Sequence, residues 1–291
     1  MQIVLHAGAH FTEEERLFKT LLRNKADFAQ RGVAVPGPSK YRQLLRETMT
    51  AMHDAPPSPE ARDILTDAIL DQAEADRLIL SHVHIFGAPR ACFREGRFYD
   101  LAPQRVAQLS QLFEQDELEL FLCMRDPAAF LPALFSASPQ EDMDSFLRGH
   151  SPFEVRWSDT LKEIRAAAPE VSITTWCFED MPMIWAELIR EMAGLEHGEK
   201  IVGGFDLLSQ IMSNEGMKRF REYLKGHADM GERQKRRVIA AFLSKFAIEE
   251  EIEEELEAPG WTSHTVEALS EIYEDDVSIC AHIPGVNFIS P

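Results

Sequence analysis

His82 and His84 stand two apart at the end of the apolar run Arg77-Leu78-Ile79-Leu80-Ser81. On a strand that spacing puts both imidazoles on one face. Their titration range suits a general base. Two imidazoles on one face also begin a metal site, but no third ligand is identifiable, so no metal is expected; packing is the third reading. Arg125 closes a second apolar run, Leu120-Phe121-Leu122-Cys123-Met124. The carboxyl end of a strand is where open α/β sheets bind ligands, so Arg125 either grips an anion or pairs with a carboxylate such as Glu13 or Glu14. His6 and His10 flank Gly8, where packing and local hydrogen bonding account for them. No Ser-His-Asp order, zinc motif or dinucleotide fingerprint stands out.

Apolar periodicity sets the elements that must position these residues. Residues 2–7 read as a buried parallel strand, followed by a tight Gly8-Ala9-His10 turn and a helix over about 13–30. Val33-Ala34-Val35 reads as a second strand, 77–82 as a third, 118–123 as a fourth and 171–176 as a fifth. Helices are expected near 41–53, 59–75, 103–115, 127–136 and 154–168. Strands separated by helices predict an α/β fold with a parallel β-sheet flanked by helices. From about 180 onward the pattern is helical only. No linker or low-complexity segment marks a boundary, so residues 1–291 read as one α/β domain with a mainly helical C-terminal part.

The 291 residues are 45% hydrophobic and 27% charged, an ordinary globular composition. No apolar run approaches the roughly 20 residues of a membrane helix, and no leader precedes Ile3-Val4-Leu5, so a cytoplasmic location is expected and a membrane partner is not. Cys92, Cys123, Cys177 and Cys280 form no C-x-x-C pair and read as buried thiols in a reducing compartment. A net charge of −19 argues against nucleic acid as a partner. Two charge blocks interrupt the C-terminal part, basic over 218–237 and acidic over 249–257, and read as solvated helical faces that could pair with one another.

The strand followed by Leu5-His6-Ala7-Gly8-Ala9-His10 and a helix resembles the first βα unit of bacterial sulfotransferase-family proteins. Those are P-loop relatives that use 3′-phosphoadenosine 5′-phosphosulfate (PAPS) as sulfuryl donor. Arg125-Asp126-Pro127 resembles a second family element, and Trp261-Thr262, Tyr273-Glu274-Asp275-Asp276 and Pro284-Gly285-Val286-Asn287-Phe288-Ile289 resemble the family's ending. The resemblance implies that Gly8, Ala9, His10 and Thr12 stand where the donor's 5′-phosphosulfate binds, and that Arg125 stands where its 3′-phosphate binds. It also makes His82 and His84 the candidates for the catalytic base.

The departures from the family pattern cut against the donor. Phe11 stands at the basic position, Glu13, Glu14 and Glu15 replace the Gly-Thr-Thr that follows Thr12, and Ala133 stands where a phosphate-binding Ser belongs. Ser136 and Ser138 lie further on. Unit charges about 6 Å apart repel by roughly 3 kcal/mol at an effective dielectric near 20. Thr12 and Glu15 also match a T-x-x-E capping box, which would satisfy the helix start with the chain's own groups. The expectation is a sulfotransferase-like protein that has lost PAPS binding, needs no cofactor, and binds a small molecule or a protein. The alternative is an active sulfotransferase that holds PAPS through a non-standard site.

Overall fold

A computed structural model describes every residue except 13–14, 72, 95–96, 228 and 253–259. In chain order the elements are β1 (Gln2–Gly8), α1 (Arg16–Arg23), α2 (Lys25–Ala29), β2 (Val33–Ala34), α3 (Arg42–Ala51), α4 (Ala61–Leu70) and β3 (Arg77–Ser81). There follow β4 (Phe93–Arg94), β5 (Arg97–Phe98), α5 (Leu101–Leu112), β6 (Glu117–Met124), α6 (Pro127–Ser136), α7 (Met143–Leu147), α8 (Trp157–Ala167) and β7 (Ser172–Cys177). The remainder is α9 (Met181–Ala193), α10 (Leu208–Ile211), α11 (Asn214–Gly226), α12 (Glu232–Phe246), α13 (Ser263–Cys280) and β8 (Val286–Phe288). None of the described helices is long and apolar enough to cross a membrane.

The chain divides into two compact units. The first comprises Met1–Phe178 with Leu256–Phe288 and holds a six-stranded sheet in the order β2-β3-β1-β6-β7-β8, every pair parallel. The five expected strands are present. The sixth, β8, corrects the reading of residues beyond 180 as helical only: Val286–Phe288 pairs with Ile173–Thr175 of β7. A short antiparallel pair, β4 with β5, also lay outside the expectation.

Strand alternation explains why the sheet is covered on both faces. Ile3, Leu5 and Ala7 join a core built with residues of α3, α4, α5, α6 and α8. Val4 and His6 point the other way and are equally buried. The helix expected over 13–30 is broken, with α1 ending and α2 beginning around Asn24, whose side chain donates to the Thr20 carbonyl (2.8 Å). The start of α8 is capped from a distance. The Asp276 carboxylate on α13 accepts from the backbone N–H groups of Trp157 (2.7 Å) and Ser158 (3.1 Å).

The second unit comprises Glu179–Glu255 with Ile289–Pro291 and packs around Leu208, Met212, Met217, Phe220 and Ile239. Gly216 is needed where α11 meets the end of α12, since a Cβ there would lie 2.4 Å from that of Phe246. Residues 253–257 of the acidic block lie outside the described residues. The basic block pairs with Glu215, Glu232 and Glu187 rather than with the described residues of the acidic block.

Candidate functional site

A parallel sheet brings the carboxyl ends of all its strands to one edge. Here the chain leaves central β1 toward β2 and β3 on one side and later crosses to β6 on the other, which is the topology that opens a crevice at the strand ends. Gly8 to Thr12, His82 to Gly87 and Arg125 therefore meet. β1 runs on into the expected turn: its register against β6 shifts between His6 and Gly8, and the Ala9 N–H still reaches the Cys123 carbonyl (3.2 Å). Gly8 adopts φ +100°, which a residue with a Cβ rarely tolerates.

His10 is buried and locked on both ring nitrogens. Its Nε2 lies 3.0 Å from the Gly87 carbonyl, an acceptor only, so Nε2 carries the proton. Its Nδ1 then accepts from the Tyr99 hydroxyl at 2.6 Å, and the His10 backbone N–H donates back to that hydroxyl (3.3 Å). Burial, and next the nearby His84, lower its pKa to about 4, while the Gly87 bond opposes. Cys92 stands 3.6 Å from Nδ1, its thiol pushed up to about 12 by burial. His10 is thus a neutral clamp between the β1 turn and the 87–99 segment.

Three polar groups among the described residues of the turn are met by the chain itself. The Thr12 hydroxyl donates to the Ala9 carbonyl (2.8 Å), and the Phe11 carbonyl accepts from Arg125 Nη1. The Arg125 guanidinium also lies over the Phe178 ring, 4.7 Å from its centroid, while its own carbonyl accepts from Trp157 Nε1 (2.9 Å). Glu15 turns away from Thr12 and accepts from Arg42 Nη1 at 2.5 Å; Arg42 Nε donates to the Ser81 carbonyl (2.9 Å). The expected capping box is therefore absent. Helix α1 begins at Arg16, and its N-cap Glu15, at φ 62°, makes no side-chain cap bond. Glu13 and Glu14, the expected partners of Arg125, lie outside the described residues.

The paired histidines part company, because β3 ends at Ser81 and His84 falls in the following turn. His82 is buried, with a pKa lowered to about 4 by burial first and then by Arg42, His84 and Arg46. His84 is exposed and lies beside His10, with 5.2 Å between ring centroids. Its pKa is lowered by partial burial and by Arg42, with Glu15 opposing. His6, fully buried, bonds Ser81 Oγ (3.0 Å) and stacks on Trp176, and burial followed by Arg42 lowers it to about 4. Imidazoles held that low stay neutral and donate or accept hydrogen bonds, whereas a general base works best with a pKa near the operating pH. Of the two expected catalytic residues, His84 alone faces solvent. Among the described residues no group of three potential metal ligands forms.

At the β6 end, Asp126 caps α6, accepting from the Ala128 N–H (2.8 Å), with Pro127 at the first helical position. Ala133 stands on this helix without a hydroxyl; Ser138 lies past its end, donating to the Phe135 carbonyl (2.8 Å). Arg42 and Tyr99 are the site residues missed from sequence. Each sits in a segment with no motif, and only the fold brings it to the β1 turn.

No protein-family model matches this sequence, and no curated protein matches it. Among solved structures, the crystal structure of a sulfotransferase from Alicyclobacillus acidocaldarius is similar at 10% identity and a TM-score of 0.41. The similarity covers 76% of this chain and 91% of that one.

Proposed function

We propose that this chain is a sulfotransferase-like scaffold whose donor site is filled by its own loop, and that it works by binding a small molecule or a protein rather than by sulfuryl transfer. One observation carries the reading: Arg125 and Arg42, at the sheet edge, are answered by Phe11 and Glu15. Arg125 holds the Phe11 carbonyl and Arg42 holds the Glu15 carboxylate. A bound phosphosulfate needs N–H groups and cations facing it. Here a carbonyl and a carboxylate hold those positions, so these residues do not fit PAPS and we derive no transfer step.

Titration with adenosine 3′,5′-bisphosphate tests this. The expected result is no binding tighter than about 1 mM, a free energy weaker than roughly −4 kcal/mol. A ligand present at a hundred times its dissociation constant would stabilise the fold by about 2.7 kcal/mol, so thermal unfolding gives a second readout. Micromolar binding by the natural chain would sink the proposal and favour the alternative, an active sulfotransferase that holds PAPS through Arg125 and the backbone of residues 8–12. The positive control is the combined variant Phe11→Lys, Glu13→Gly, Glu14→Thr, Glu15→Thr and Ala133→Ser. It adds one cation and removes three carboxylates from the sequence, and it frees Arg42. Charge-assisted hydrogen bonds of about 1.5–3 kcal/mol each should then bring the nucleotide into the micromolar range. If the rebuilt chain folds and still ignores it, the scaffold half of the proposal fails.

A further inference from the structure

Helix α11, in the second unit, carries a basic stripe that the reading above does not use. Asn214, Lys218, Arg221 and Lys225 succeed one another at intervals of four, three and four residues, which aligns them on one helix face. With Ser209, Met217 and Glu222 they line a concavity of about 270 Å³.

Like charges at these spacings repel and destabilise a bare helix. The chain holds 49 acidic residues against 30 basic ones, and one stripe away it answers its cation, pairing Arg219 with Glu215 at 2.5 Å. Lys235 takes Glu232, and Arg236 takes Glu187. Lys218, Arg221 and Lys225 have no ion-pair partner among the described residues. Acceptors share the concavity with these donors. The Ser209 hydroxyl donates to the Asp206 carbonyl (2.7 Å), so its oxygen is left to accept, as is the Glu222 carboxylate.

Three unanswered cations beside two acceptors complement a ligand that carries an oxyanion and hydroxyls together. We propose that this face binds a small hydroxyl-bearing phosphate or sulfate monoester. The oxyanion sits on Lys218, Arg221 and Lys225, and the hydroxyls reach Ser209 and Glu222. The cavity's size and the −19 charge of the chain favour a compact ester over a long polyanion, which the rest of the surface repels.

Calorimetry on the full chain at low salt, with four probes, tests the proposal. Glucose 6-phosphate should bind, and glucose 6-sulfate, with one charge fewer, should bind a few-fold more weakly. Inorganic phosphate, lacking hydroxyls on a carbon frame, should bind about tenfold more weakly than the sugar phosphate. Replacing Lys218, Arg221 and Lys225 together by Ala should weaken the sugar phosphate by about thirtyfold or more, and Arg221→Gln alone by about fivefold. Arg219→Ala, on the neighbouring stripe, should stay within about twofold, since its charge is already paired and exposed. Circular dichroism checks that each variant keeps its helices. The proposal is overturned if neither sugar ester binds at millimolar concentration, or if the triple variant binds as well as the natural chain. It is overturned equally if inorganic phosphate matches the sugar phosphate, or if a heparin fragment outbinds every monoester.

Discussion

Two turns lie at the same edge of the sheet and solve the same problem differently. After β6 the helix starts within three residues of the strand, with Pro127 at its first position and Asp126 as its cap. The second Asp126 oxygen accepts from Ser270 Oγ (2.5 Å). After β1 the helix waits until Arg16, and its N-cap has a left-handed backbone and no side-chain bond. Phe11 and Glu15 there adopt φ 53° and 62°, a region that costs a residue with a Cβ roughly 1–2 kcal/mol. The β6 turn caps its helix with its own Asp126 and is tied down further by Ser270 and Trp157. The β1 turn is shaped by partners brought from elsewhere: Tyr99, Arg125 and Arg42. A turn whose polar groups face a crevice must satisfy them with a ligand or with the protein, and here the protein does so for the Thr12 hydroxyl, the Phe11 carbonyl and the Glu15 carboxylate.

Acid is the strongest way to break that difference. His6, His10 and His82 surround the β1 side and are held neutral to about pH 4, whereas unfolded histidine titrates near 6.5. Between those values the unfolded chain binds more protons, so stability is present above pH 6.5 and is lost as the pH falls toward 4. Between pH 7 and pH 5 the loss is about 1.8 kcal/mol per histidine, about 5.5 kcal/mol for the three, a large part of a typical domain's stability. Urea denaturation at both pH values measures it, and equal midpoints would mean that these imidazoles are not held neutral. Next in size, Asp126→Ala should cost about 2 kcal/mol, while Thr12→Ala should cost about 1 and Thr12→Ser almost nothing. A Thr12→Ala loss that Thr12→Ser shares would show that the methyl, not the bond to Ala9, is what matters. The smallest effect belongs to Glu15→Gln. Its pair with Arg42 is partly exposed, so the loss should stay under about 1 kcal/mol and shrink with added salt. Denaturation at two salt concentrations checks it, and a loss of several kcal/mol that ignores salt would make this pair the keystone of the loop.

The same contrast governs what was readable beforehand. Strands β1, β3, β6 and β7 are mostly buried on both faces and appear as short segments dominated by apolar and β-branched residues. Strand β8 is three residues long, half-exposed, and contains Asn287, so its pattern says little; its place comes from β7. Gly8 and Arg125 were legible because each stands at a strand end in a short motif. Arg42 and Tyr99 were not, since they act 27 and 89 residues away from their partners Glu15 and His10. The capping box failed for a related reason. Thr12 and Glu15 have the right types and spacing, but Arg42 takes the Glu15 carboxylate the box needs, and Glu15 itself sits left-handed at the N-cap instead of in the first helical turn.

The late arrival of β8 bears on how the chain is made. Thr174 of β7 and Asn287 of β8 are 113 residues apart in sequence, with residues Glu179–Glu255 of the second unit between them. At about 5–20 residues per second, a ribosome needs roughly 6–23 s to deliver the missing strand after β7 has emerged. Throughout that interval β7 presents a row of unmatched amides and carbonyls, the kind of edge that recruits strands from other chains. Asp276, which caps α8, is delivered in the same closing stretch. Nascent copies of this protein therefore pass through a sticky, half-closed stage, and their yield should depend on how crowded the polysome is.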